Sequence, residues 1–310
     1  MTGVQGVLEG FSTIGIVIAL GFLLAHFNVL GADSQVLLSR LVFFVATPAL
    51  LFRLLSRADV SEAFSSHLVV AGCSAVVTAA VYVMVARRVW QRETPHLVVG
   101  ALSSAYVNAG NLGLPIAVYV LGDGAFVAPT LLLQLVVFTP TAIAVLDTSA
   151  WGRRPTIWRV LGQPIRNPIT VASLLGLLVA LMHWDLSGAV TRPLDLVGGV
   201  AVPGALLAYG VSLRLGTRPM NGDSSGEIAL VTGLKLVVQP LIAYVLGSQV
   251  FGLEGQALLA VTLIAGLPTA QNIFLYATRY ERASVLARDA IFATTVLSVP
   301  ALLAIAAVLA

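Results

Sequence analysis

From His96 to Val120 the chain is apolar for long enough to cross a bilayer, and at the centre of that run stands Asn108-Ala-Gly-Asn-Leu-Gly-Leu-Pro115. Two glycines, two asparagines and a proline at such depth are costly. Backbone that leaves the helix cannot face lipid, because its N–H and C=O groups would go unpaired. It is tolerated only inside protein or around a wet cavity. The pattern predicts a broken helix, one half ending near Asn108 and the next starting near Pro115, where a missing N–H costs nothing. A second such stretch, Ala265-Gly-Leu-Pro-Thr-Ala-Gln-Asn272, also lies mid-segment. Two matched breaks in corresponding parts of one chain point to a transporter binding site.

Composition agrees with a membrane setting. Of 310 residues, 58% are hydrophobic and 10% are charged, against roughly 25% charged in a soluble domain. Ten spans follow from the apolar runs, at about 10–29, 36–56, 67–86, 96–120, 126–146, 168–184, 194–213, 228–251, 256–279 and 287–309. Each is near the length a bilayer requires. The first span reads as a retained helix, since no Lys or Arg precedes it as a signal peptide would demand. The longest connector, 147–167, carries Trp151, Arg153, Arg154, Trp158, Arg159 and Arg166. It reads as an interfacial stretch, tryptophan and arginine both favouring the headgroup level.

The formal charge of +3 is no nucleic-acid signal, because the basic residues are spread over short loops. They are asymmetric instead. With the N-terminus outside, thirteen arginines fall on the inner side, Arg87, Arg88 and Arg92 among them, and three on the outer side, Arg53, Arg57 and Arg192. The bias predicts a multi-pass protein of the cell inner membrane with both termini outside. The single cysteine, Cys73, excludes an internal disulfide.

Three prolines recur at nearly constant offset: Pro48 and Pro203 at 155, Pro115 and Pro268 at 153, Pro140 and Pro300 at 160. They fall in spans 2 and 7, 4 and 9, and 5 and 10. A five-span unit crosses an odd number of times, so its second copy is inverted. The expected architecture is an all-α polytopic membrane protein. Its ten transmembrane helices form two inverted five-helix repeats, residues 1–150 and 151–310, with helices 4 and 9 broken and crossed.

The same residues resemble the auxin efflux carrier family. The match is carried by Asn-x-Gly-Asn-x-Gly-x-Pro in span 4 and Leu-Pro-Thr-Ala-x-Asn in span 9. Pro48-Ala-Leu-Leu-Phe52 and the Lys235 to Pro240 stretch add to it. The resemblance implies the crossover fold shared with bile acid/sodium symporters, in which a scaffold domain faces a transport domain. It also implies transport of auxin-like acids or of mono- and dicarboxylates such as malonate. The long hydrophilic central loop of the plant carriers is missing here.

Breaking a helix exposes N–H groups on one half and C=O groups on the other, each end carrying about half an elementary charge. The N-terminal ends, near Pro115 and after Asn272, favour an anion. Asn108, Asn111, Gln271 and Asn272 can donate and accept without charge. With Pro115 and Pro268 they form the candidate binding site, unless they only pair the freed backbone. Gln134 and Gln239 either line the same cavity or bond a neighbouring helix. Lys235, the only lysine, either snorkels to the headgroups or meets a carbonyl end or the substrate's carboxylate. Asp and Glu are expected only at span ends or in loops, and the four histidines near interfaces. No metal site is expected, nor any cofactor beyond a coupling sodium ion or proton. The expected activity is alternating-access transport of a small organic anion by a membrane protein in contact with lipid. A sodium-coupled carboxylate symporter is the alternative, a homodimer is compatible with either, and an enzyme is disfavoured for want of nucleophile and base at depth.

Overall fold

The computed structural model describes residues 4–57, 62–151, 167–215 and 225–309; most of the expected interfacial connector lies outside these. Among the described residues the only β-pairing is one isolated bridge, and everything else regular is helical. In chain order the helices are α1 Val4–His26, α2 Ala32–Leu41, α3 Thr47–Leu55, α4 Glu62–Val89 and α5 Thr94–Ala105. Then come α6 Leu114–Tyr119, α7 Ala128–Leu133, α8 Thr139–Trp151, α9 Pro168–Leu181, α10 Gly188–Gly198 and α11 Ala201–Leu215. The last five are α12 Ser225–Gly233, α13 Gln239–Val245, α14 Gly255–Ala265, α15 Asn272–Arg279 and α16 Ser284–Leu309. Six continuous helical stretches are long and apolar enough to cross a membrane: Ala32–Leu55, Ser66–Val89, Gly124–Ser149, Gly188–Leu215, Ser225–Val250 and Ser284–Leu309. Shorter apolar helices cover Ser12–His26, Pro168–Leu181 and Gly255–Ala265.

Four prolines inside helical segments share one device. Val42–Ala46, Ala109–Gly113, Gln134–Phe138 and Leu234–Val238 are π-helical turns. Each ends two residues before Pro48, Pro115, Pro140 or Pro240. Proline cannot donate to the carbonyl four residues back, and its ring collides with it. Widening the preceding turn by one residue removes the collision and lets the helix continue.

The chain forms two compact units. The first comprises Met1–Phe64, Gly110–Leu132 and Pro164–Thr217; the second comprises Ser65–Ala109, Leu133–Gln163 and Arg218–Ala310. In the first, α1 packs along α11, and α3 lies against α9 and α10. Glycines permit that approach. A methyl group on Gly21 would strike the Leu207 carbonyl, and one on Gly210 would strike that of Ile18. On α9 and α10, Gly176 and Gly198 meet the backbone of Phe52 and Leu50 in the same way. Lipid tails are as apolar as leucine, so close backbone packing does the work that the hydrophobic effect does in water. Arg53 on α3 is buried and bonds Asp195 on α10 through Nε at 2.7 Å and Nη2 at 3.0 Å.

In the second unit α5 lies against α8, α15 and α16, and α16 also packs on α12 and α14. Its core includes Val99, Leu102, Leu146, Ile273 and Ala277, and a second cluster around Tyr82, Leu97, Val231 and Leu286. It also holds most of the buried polar side chains, which bear on the site.

Candidate functional site: two paired helix breaks

Helix α5 stops at Ala105, and Tyr106 turns extended at φ −86° and ψ 110°. The break is therefore Tyr106–Asn108, earlier and shorter than expected. The helix resumes at Ala109 rather than at Pro115. Gly113 is helical, at φ −63° and ψ −44°, so the glycine-rich motif is part of the returning helix. Pro115 sits within it, accommodated by the π turn. The second break matches expectation: α14 ends at Ala265 with Gly266 as its cap, and α15 starts at Asn272.

The two breaks lie against each other. Val107 and Thr269 form an antiparallel bridge. Asn108 N donates to Pro268 O at 2.8 Å, and Ala270 N to Tyr106 O at 3.2 Å. Each interruption thus supplies hydrogen bonds that the other has lost. Side chains from surrounding helices take the rest. Thr269 Oγ1 donates to Ser103 O at 2.5 Å, Gln239 Nε2 to Ala105 O at 3.0 Å, and Gln134 Nε2 to Val107 O at 3.1 Å. Thr294 Oγ1 accepts from Thr269 N at 3.1 Å. Both glutamines are thereby engaged with carbonyls of the first break. Lys235 is fully buried and does not snorkel. Its Nζ donates to Gln239 Oε1 and lies 3.5 Å from Ala265 O, at the carbonyl end of α14.

Beside the breaks is a group of neutral polar side chains that sequence reasoning missed in part. Tyr106 Oη is 3.0 Å from Thr139 Oγ1, and Asn272 Nδ2 donates to Tyr276 Oη at 3.3 Å. The Tyr106 hydroxyl also interacts with Asn272 and Tyr276. Asn272 and Tyr276 occupy the first turns of α15 and are half-buried, as is Gln271. The second unit thus gathers Asn108, Pro268, Gln271, Asn272, Gln134, Gln239 and Lys235. Asn111 and Pro115 fall in the first unit, Pro115 buried and Asn111 half-buried.

Several acids and a histidine are buried rather than surface-exposed. Glu227, in the first turn of α12, is fully buried. Tyr82 Oη bonds its Oε1 at 2.5 Å, His96 Nε2 lies 2.8 Å from the same oxygen, and Arg92 bonds Oε2 at 2.8 Å. Asp147 is buried in α8 and accepts from Tyr280 at 2.7 Å. Asp289 is buried in α16 beside Arg288. These acids stand near helix ends, as the charge pattern implied, but protein rather than water solvates them. His67 is likewise buried.

Paired breaks, satisfied backbone and long apolar helices define a multi-pass membrane protein of the transporter class. Residues 7–150 and 154–306 match the model of the family described as membrane transport protein, and the chain belongs to that family. It is 27% identical over 293 residues to a Rhizobium meliloti protein named "Putative malonate transporter", covering 91% of this chain and 89% of that one. It is 28% identical over 306 residues to a Methanothermobacter thermautotrophicus protein named "Uncharacterized transporter", covering 96% and 97%. A rice (Oryza sativa) protein named "Probable auxin efflux carrier component 5c" is 30% identical over 166 residues, 51% of this chain and 44% of its own length. The auxin-efflux-carrier-like resemblance drawn from the sequence motifs is confirmed by these matches.

Proposed function

We propose that this chain is a secondary carrier of small organic anions, mono- or dicarboxylates of the malonate kind, working by alternating access. The observation that carries the reading is the antiparallel pairing of the two breaks, with the Tyr106, Thr139, Asn272 and Tyr276 group beside it. Neighbours pair the freed carbonyls, and the Tyr106, Thr139, Asn272 and Tyr276 group stands beside them with hydroxyls and an amide that can donate to a ligand. Neutral amides and hydroxyls can replace part of a carboxylate's hydration shell and still release it, where a fixed cation would hold it. The start of α15 adds a favourable dipole. Asn111 and Pro115 stay candidate substrate-binding residues on sequence grounds.

The ten-span, inverted-repeat topology belongs to this reading. It is supported by how the compact units draw on the chain. The first takes expected spans 1, 2, 6 and 7; the second takes 3, 8, 9 and 10, with the first half of 4 and most of 5. Each unit therefore collects repeat-related partners from both halves. The second unit, which holds the paired breaks, is the natural transport domain, and the first the scaffold. With both termini outside, a cysteine at Arg153 in a Cys73-free variant labels with impermeant maleimide only from the cytoplasmic side.

The deciding experiment is uptake of labelled malonate, malate, succinate and indole-3-acetate into proteoliposomes under imposed pH, sodium and voltage gradients. Saturable uptake of at least one acid, competed by others, is expected. Absence of uptake for the whole panel in protein of proven fold defeats the reading.

A further inference from the structure

Breaking two helices leaves two carbonyl ends inside one unit, and the structure joins them through a single pair of side chains. Lys235 and Gln239 stand one turn apart on the helix that runs from α12 into α13. Lys235 Nζ bonds Gln239 Oε1 and approaches Ala265 O, the last carbonyl of α14, at 3.5 Å. Gln239 turns its amide nitrogen to Ala105 O, the last carbonyl of α5, at 3.0 Å. Each carbonyl end carries about half a negative charge, so the two together offset about one ammonium. Among the described residues, none of the ion pairs includes Lys235. Among the described residues its partners are carbonyl and amide oxygens, the hard donors that a small alkali cation takes.

We propose that Lys235 is a resident cation: its ammonium fills the position between the two carbonyl ends that a free sodium ion would otherwise occupy, so this chain needs no sodium to complete its site. The consequence for transport rests on the carrier reading above. The occupancy of the position does not, and is tested without any substrate. A sodium ion and this ammonium cannot share Ala265 O and Gln239 Oε1, and Lys235 is fully buried where it meets them. Removing the ammonium while keeping the oxygens opens the position to an ion from solution.

The test is the melting midpoint of purified protein in chlorides of choline, lithium, sodium and potassium at equal ionic strength. Wild type melts at one temperature in all four. Lys235→Ala melts lower in choline, by more than about 5 °C, and regains part of the loss in sodium or lithium, saturating with concentration. Lys235→Gln keeps most of the length and a donor but no charge, and shows a smaller version of the same behaviour. Sodium-specific stabilisation of the wild type overturns the proposal. So does a Lys235→Gln protein indistinguishable from wild type in every salt, which holds even if Lys235→Ala does not fold.

Discussion

The two compact units solve the same problem, excluding water from packed helices, with different materials. The first closes on small residues. Gly21, Gly210, Gly176 and Gly198 bring backbones into contact, and among the described residues its buried polar side chains are Thr47, Arg53, Thr130, Thr170 and Ser173. The second holds seventeen of the 22 buried polar or charged residues described. Among them Gln134, Lys235, Gln239, Thr269 and Thr294 bond the broken helices, and Glu227 centres the charged cluster. A unit without interruptions needs only shape. A unit that interrupts two helices must supply partners for every carbonyl it frees, and a few more donors for what it binds. On the proposed carrier reading, the polar content of the second unit marks the transport domain and the glycine content of the first the scaffold.

Substitutions at four places separate the two designs. The largest effect is expected in the frame. Gly210→Leu forces α1 and α11 apart along their backbones, costing about 3 kcal/mol or more. Loss of monodisperse protein by fluorescence-detected size-exclusion chromatography checks it. A well-folded Gly210→Leu variant would show that the α1–α11 contact is not close packed. Next comes the charged cluster. Glu227→Ala leaves Tyr82, Arg92 and His96 without their shared carboxylate. Breaking a buried pair costs about 3–5 kcal/mol, but the Arg92 and His96 side chains are 33% and 19% exposed and regain water. A loss of about 2–3 kcal/mol, read as a lower melting temperature with the binding site intact, is expected.

The third substitution addresses the site. Asn272→Ala removes one donor to a charged ligand, worth about 1.5–3 kcal/mol, or roughly tenfold to a hundredfold in affinity. Melting temperature should barely move, since Asn272 is half-buried and bonds Tyr276 weakly. Tyr276→Phe should act in the same direction, more weakly. If both variants carry a proven substrate with wild-type kinetics, these side chains serve structure alone.

What could be read in the sequence follows the same division. Glycine, proline and asparagine act locally, so the two breaks were legible, and α15 begins at the expected Asn272. The first break was misplaced because its position is set by pairing with Pro268, Thr269 and Ala270, far along the chain. Local rules could not choose between a break at 106–108 and one at 108–115. The quartet at Glu227 joins residues 131 to 145 positions apart, and no periodicity announces it. A signal was present in Arg92 and His96 standing so near the start of an apolar run, but the interfacial reading explained them equally well. The fate of Lys235 was undecidable locally too, because snorkelling and burial differ only in whether Ala265 O comes within reach.

The smallest effect is expected at the ion pair of the frame. Arg53 is buried, with 6% of its side chain exposed, whereas Asp195 is 53% exposed. Water solvates the acid almost as well as the guanidinium does, and an exposed partner contributes about 0–1 kcal/mol. Asp195→Asn keeps one carboxyl-type oxygen for Arg53 Nε and removes the charge. It should lower the melting temperature by about 2 °C or less and leave uptake unchanged. The reverse substitution is not equivalent: Arg53→Ala empties a buried volume between α3 and α10 and loses packing as well as charge. The comparison of units predicts this asymmetry, because in a frame built on shape the volume of the arginine matters more than its charge. If Asp195→Asn instead destabilised as strongly as Glu227→Ala, or abolished transport in folded protein, the first unit would depend on its charge as the second does on Glu227, and the division between frame and site would fail.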